Sequence, residues 1–336
     1  MEDSLDYQNL VKEHPWLVER DHQCILSPDS DGFLCGLLFS HVLGWKIRGF
    51  YDGKVLIVQR DVDPKECVFL DLDIFRNAIK SIGHHMVLFN KNHLPPNWNN
   101  YDECIQLNNL RGFDFNSDFQ RKYPLGTIHF LICLLDDQHM LNSLSSNSVW
   151  PLLFADGVWN NLFGYTENCL DWLSYMKILN QHSLLYPLVG TETPLGIMNG
   201  INTFLRTRDS FNAVGFFNGT TFINRRTSRT GDKLRISDGA GSPINLVSNA
   251  GSVNVHNLER DRVVDFISFL ATQTGWDYLP TNWVWSNLKL LRFTKDNQQS
   301  LNVNNFGNLL AHDPLSLAIT GGVRGVEYTL ETPSRL

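Results

Sequence analysis

The chain has 336 residues, 43% of them hydrophobic, and its 28 basic and 35 acidic side chains give a formal net charge of −7. That length supports one large or two medium globular domains with buried cores. The acidic balance excludes a broad basic face for coating duplex nucleic acid, while leaving room for a narrow basic groove inside an acidic shell.

Near-continuous apolar stretches such as residues 130–135 (FLICLL) are far shorter than the roughly 20 residues that cross a bilayer. The acidic start MEDSLDYQNLVKEH has no apolar signal core. A cytoplasmic protein with no membrane partner is the expectation.

In chain order, the first β-rich run is 23–27 (QCILS), followed at once by P-D-S-D-G. Asp29 and Asp31 therefore lie between a strand and GFLCGLLFSHVLG, whose Leu34, Leu37, Leu38 and Val42 have helical spacing. Because turns favour Asp and Gly, the D-x-D-G spacing alone leaves a turn, a phosphate loop and a metal site open. Further strands are expected at 54–58 (KVLIV), 67–72 (CVFLDL), 85–90 (HMVLFN) and 104–108 (CIQLN). Between two of them, DIFRNAIK predicts a helix with Asp73 as its cap.

From Phe119 to Cys169 the pattern is helical, with cores TIHFLICLLDD and VWPLLFADGVWNNLFG. Two prolines and two glycines then interrupt YPLVGTETPLG, which predicts a linker over 186–196. Beyond it Asn, Ser, Thr and Gly dominate, apart from a helix at 259–273 and a closing hairpin SLAIT-GGVRG-VEYTL. The expected fold is α/β: a mostly parallel, doubly wound sheet with helices on both faces in residues 1–185, and a smaller mixed α+β domain in 197–336.

Ligands of an open parallel sheet bind at the carboxyl ends of its strands. The candidates at such ends are Asp29, Asp31, Asp71, Asp73, the pair His84 and His85, and Asp156 after PLLFA. The six cysteines (Cys24, Cys35, Cys67, Cys104, Cys133 and Cys169) are scattered, with no C-x-x-C, and read as buried reduced thiols. Carboxylates and imidazoles converging without thiolate suit a hard or intermediate ion, Mn2+ or Mg2+.

Four segments in order resemble the DHH phosphoesterases, a family that includes RecJ-type exonucleases, short-oligonucleotide ribonucleases, cyclic dinucleotide phosphodiesterases and manganese pyrophosphatases. SPDSDGFLCGLL is similar to the first motif and VFLDLDI to the second. IGHHMVLFN is similar to the third, and YPLGTIHFLICLL with LLFADG to the fourth. The resemblance covers roughly residues 22 to 165. It implies Asp29 on a first ion, Asp31 on a second, and Asp71 bridging the two. His84 and Asp156 would complete the second ion's shell, and His85 would approach the phosphate or orient a ligand, with Asp71 and His85 as the catalytic residues.

Two positions depart from the pattern. Ile25, Leu26 and Ser27 occupy the places where a further first-ion ligand is expected, and Gly83 replaces the acid before the two histidines. The first departure weakens the first ion site. The second removes a partner of the kind that tunes metal affinity.

In the C-terminal part, NRRTSRTGDKLR (224–235) is the most basic segment, and Arg324 lies in the glycine-rich TGGVRG. Arg225, Arg226, Arg229 and Arg324 are the candidate phosphate contacts, set against a solvated loop. The sequence thus points to a metal-dependent phosphodiesterase of single-stranded nucleic acid or short oligonucleotides. Its alternative is a catalytically impaired relative that binds nucleotides, self-associates or joins a larger complex.

Overall fold

The structure, a computed structural model, describes residues 4–85, 88–225, 231–298, 303–320, 325–330 and 336. Its strands in chain order are β1 (Gln23–Leu26), β2 (Lys46–Tyr51), β3 (Val55–Gln59), β4 (Val68–Leu70), β5 (Ser81–Gly83), β6 (Cys104–Gln106), β7 (Gly215–Asn218), β8 (Thr221–Asn224), β9 (Leu246–Asn249), β10 (Ser252–Val255), β11 (Leu288–Arg292), β12 (Thr294–Gln298), β13 (Ser316–Thr320) and β14 (Gly325–Leu330).

Nine of them form one sheet in the order β6-β5-β4-β1-β2-β3-β11-β10-β9. β6, β5, β4, β1 and β2 pair in parallel, and only β3 and β10 run against the rest. The protein is therefore α/β with a large, mostly parallel mixed sheet. β12, β14 and β13 make a separate antiparallel sheet, and β7 pairs with β8.

The short parallel strands β4 and β5 are buried along their length, and β1 is buried at every residue but Gln23. Alternation in β1 sends Cys24 and Leu26 to one face and Ile25 to the other. On the first face lie the helices Ser30–Leu43, Thr127–Asp137 and Asn257–Thr274, which supply Phe33, Leu37, Leu131 and Phe266 to a single core. The second face is covered by Ile74, Ile79, Phe293, Leu315 and Leu336, none of which lies in a helix. Toward β6 the second face also has helical cover, since Leu309 and Leu310 of the helix Val303–Ala311 share a cluster with Cys104, so helices lie on both faces of the sheet.

Residues 186–196 contain the short helix Pro187–Gly190 and the start of Pro194–Ser210. Side chains from both sides of that stretch, including Leu185, Ile197 and Phe204, and Leu188 within it, enter the same core as β1. The strands β9, β10 and β11 also extend the sheet begun by β1.

Two local expectations are corrected. DIFRNAIK forms no helix: Ile74 makes an isolated bridge to Ser316, while Ile74 and Phe75 are buried in different clusters. Tertiary packing overrides its helical spacing. Of the strand expected at 85–90, residues 85 and 88–90 are described and belong to none of the named strands; the strand here is Ser81–Gly83, held between β4 and β6, so His84 and His85 follow its carboxyl end.

The path of the chain fixes where a site can form. From β1 it passes through the helix Ser30–Leu43 to β2 on one side, and later returns to β4 on the other. Strand order reverses between β1 and β4, the position where open α/β sheets bind ligands.

Candidate metal centre

Asp29 ends the loop after β1 and caps the helix Ser30–Leu43, accepting from the Gly32 amide at 3.4 Å. Gly44, in the left-handed region at φ 72°, ends that helix. Asp31, in the first turn, is fully buried. Its Oδ2 accepts from the Thr127 amide at 2.6 Å and its Oδ1 from the Ile128 amide at 3.0 Å. Gly126 at the start of that second helix has no side chain to cap with, and Asp31 takes over the task. A Cβ on Gly126 would lie 2.8 Å from Asp31 Oδ2, so only glycine lets the carboxylate in.

Asp71 follows β4 with φ 60°, and Asp156 lies in the short turn Ala155–Gly157 with φ 49°. Both adopt the left-handed backbone that Asp tolerates better than most residues. Asp71 is buried, and its Oδ1 accepts from Thr127 Oγ1 at 2.8 Å. The same hydroxyl is 2.8 Å from His84 Nδ1, so it accepts from that nitrogen while donating to Asp71. His84 Nε2 is 2.8 Å from Asp156 Oδ2, and His85 Nε2 is 3.3 Å from Asp71 Oδ1.

One ligand atom each from Asp71, His84, His85 and Asp156 lie within 4.8 Å of one another. Asp71 Oδ2, buried in this group, has no hydrogen-bond partner among the described residues. Two carboxylates, two imidazoles and an unsatisfied buried oxygen form a set that could hold a metal ion.

The electrostatics carry the same signature. Burial opposes ionisation of Asp156, but the hydrogen bond from His84 and the charges of both histidines hold it well below the usual carboxylate range. Burial would lower His85, yet its hydrogen bond to Asp71 and the charges of Asp71, Asp156 and Asp73 raise it to about 10. Burial, with the charge of Asp71, pushes Asp29 up to about 6 and Asp31 well above its ordinary value. Carboxylates crowded so closely seek a cation.

Asp73 is not the helix cap that its sequence position suggests. It is buried, and its Oδ2 accepts from the His85 amide at 2.8 Å while Cys104 Sγ lies 3.8 Å from Oδ1. Burial raises it to about 6. A Cβ on Gly83 would be 2.6 Å from Asp73 Oδ1, so the Asp73 carboxylate fills the space beside the residue that precedes the two histidines.

A cleft of about 290 Å³ opens beside the group, lined by Asp29, Asp71, Asp73 and His85 together with Lys233, Arg235 and Lys295. Lys233 Nζ is 3.8 Å from Asp29 Oδ2, and the Asp29 charge holds its ammonium above the ordinary lysine value against the opposing cost of partial desolvation.

Of the residues expected on metal, the structure brings together Asp71, His84 and Asp156, and His85 joins them in place of Asp31. Asp29 stays at the rim with Lys233. Arg225 is exposed after β8 and does not line the cleft. Arg226, Arg229 and Arg324 lie outside the described residues. All six cysteines are free and buried.

Thr127 escaped the sequence reading, although its place after Gly126 at a helix start was a visible signal. The contact between Lys233 and Asp29 had none, because it joins distant parts of the chain.

Fold and site together define an α/β protein with a convergent His/Asp group at the switch point of its sheet. No family model, curated protein or solved structure matches the chain. No helix among the described residues is long and apolar enough to cross a membrane.

Proposed function

We propose that the protein is a phosphodiesterase dependent on manganese or magnesium, acting on single-stranded or short oligonucleotides. The observation that carries this reading is the buried, unpartnered Asp71 Oδ2 within a His/Asp group that opens on a cleft with three cations. The cleft is at the lower end of the size range of small-molecule sites, which favours a strand end or a single nucleotide unit over a duplex. The resemblance to the DHH phosphoesterases points the same way.

Hydrolysis adds water across a P–O ester bond: the water oxygen bonds to phosphorus and the leaving oxygen departs with a proton, giving a phosphomonoester and an alcohol. A divalent ion on the group would polarise the phosphoryl oxygens and lower the pKa of water.

The chain's own residues supply the rest. Thr127 holds Asp71 and His84 in fixed orientation. His85, the most exposed of the four, borders the cleft, so the group it belongs to opens on the side where substrate would enter.

A second reading, an impaired subunit that binds nucleotides without cleaving them, is favoured by one observation: Asp31 is spent on two backbone amides. Incubation with manganese and a panel of labelled single strands, duplexes, dinucleotides and cyclic dinucleotides separates the two. Cleavage of short single strands, lost in Asp71→Ala and in chelator, supports the enzyme. Binding without cleavage supports the subunit, and cleavage that survives Asp71→Ala contradicts the metal reading.

A further inference from the structure

The DHH resemblance expects a first metal ion beside Asp29, and the structure puts a lysine there. Lys233 is held in that place by its backbone. The Leu234 amide donates to the Pro28 carbonyl at 2.9 Å, tying the segment to the loop that carries Asp29. The Lys233 carbonyl accepts from Arg262 Nη2, and the Gly231 carbonyl accepts from Arg262 Nη1 at 3.0 Å. Glu259 in turn pairs with Arg262 and accepts from the Arg235 amide at 3.0 Å. Leu234 and Ile236 are buried on either side of Arg235. The stem of Lys233 therefore rises from an anchored segment, and its ammonium reaches the cleft.

The ligands for an ion at this place are correspondingly poor. Ser27 offers only a hydroxyl, and neither Asp29 nor Asp31 joins the convergent group. An ammonium needs no such shell: it is a compact positive charge with three donors, enough to pair with Asp29 and hold a phosphate oxygen at once.

We propose that the centre holds one metal ion, on Asp71, His84, His85 and Asp156, and that the Lys233 ammonium beside Asp29 supplies the second positive charge, gripping a non-bridging oxygen of the substrate phosphate. This rests on the phosphodiesterase reading and specifies its site: one ion and one lysine where the resembled family uses two ions. Lys233 touches substrate and does not hold the metal.

The test uses the full chain. Equilibrium dialysis gives bound manganese per chain, and calorimetry gives the affinity of the manganese-loaded protein for inorganic phosphate, in wild type, Lys233→Gln and Lys233→Arg. One ion per chain is expected in all three. Phosphate binding is expected to weaken by about 10- to 100-fold in Lys233→Gln, the worth of one charge-assisted hydrogen bond, and to recover in part in Lys233→Arg.

Two ions in the wild type overturn the inference while leaving a manganese-dependent phosphodiesterase standing. One ion with unchanged phosphate affinity in Lys233→Gln also overturns it. No bound ion removes the phosphodiesterase reading and this inference with it. The side chain is half exposed, so the substitution does not threaten the fold, and the wild-type stoichiometry tests the one-ion half of the inference without any variant.

Discussion

Removing a single hydroxyl should disable the centre without touching a ligand. Thr127 Oγ1 donates to Asp71 Oδ1 and accepts from His84 Nδ1, both at 2.8 Å. Thr127 is fully buried, so no solvent replaces the lost bonds. Thr127→Val keeps the branched shape and deletes the hydroxyl, leaving Asp71 Oδ1 with His85 alone and His84 held only through its contact with Asp156. Hydrogen bonds to charged groups are worth about 1.5–3 kcal/mol each, and loss of such an orienting partner lowers metal affinity by about 10- to 100-fold. At about 1.4 kcal/mol per factor of ten, the 10- to 100-fold loss corresponds to one such bond, that is, to only part of the two bonds being felt by the ion. Manganese calorimetry on wild type, Thr127→Val and Thr127→Ser measures the effect, with a urea transition to show that each variant is folded. Serine keeps the hydroxyl and should keep most of the affinity. Wild-type affinity in Thr127→Val would refute the reasoning, because the hydroxyl would then orient nothing that the ion uses.

Other perturbations separate structural from metal-holding roles. Asp31→Ala strands the Thr127 and Ile128 amides in the interior, and should cost about 2–4 kcal/mol of stability in urea titration; a loss of metal affinity at unchanged stability would instead make Asp31 a ligand. Asp73→Ala frees the His85 backbone and should weaken manganese binding about tenfold, whereas a dispensable surface cap would leave it unchanged. In the metal-free protein, His85 is raised from its ordinary 6.5 to about 10. Its stabilising contribution is therefore complete below about 6.5 and lost as pH climbs through about 10. Chemical denaturation across that window should show declining stability, with a shallower decline in His85→Gln; parallel curves would contradict the assignment.

The sequence showed most clearly the elements whose apolar runs are unbroken. β1, β3, β4 and β6 lie where QCIL, VLIV, VFL and CIQ announce them. β2 went unseen because KIRGFY mixes charge and glycine into its run. Gly49 is needed there, since a Cβ would meet the Ile57 carbonyl of β3 at 2.3 Å. The entry of β9, β10 and β11 into the main sheet was equally hidden, for strand pairing across distant parts of the chain leaves no local pattern.

At the site, Asp71, His84, His85 and Asp156 were legible as acids and imidazoles beside apolar runs. Asp31 was not, because D-x-D spacing cannot say that its second carboxylate turns to a helix 96 residues onward. Asp73 reversed roles for the same reason. What looks like the cap of DIFRNAIK is an internal brace, made by the packing of Ile74 and Phe75 into separate clusters.

The most direct test of the central claim is anomalous diffraction from crystals of the protein soaked in manganese. The account predicts one strong peak per chain, bonded to Asp71, His84, His85 and Asp156, with Lys233 still against Asp29. The absence of any peak at these four residues, or a strong peak elsewhere in the chain, would contradict it.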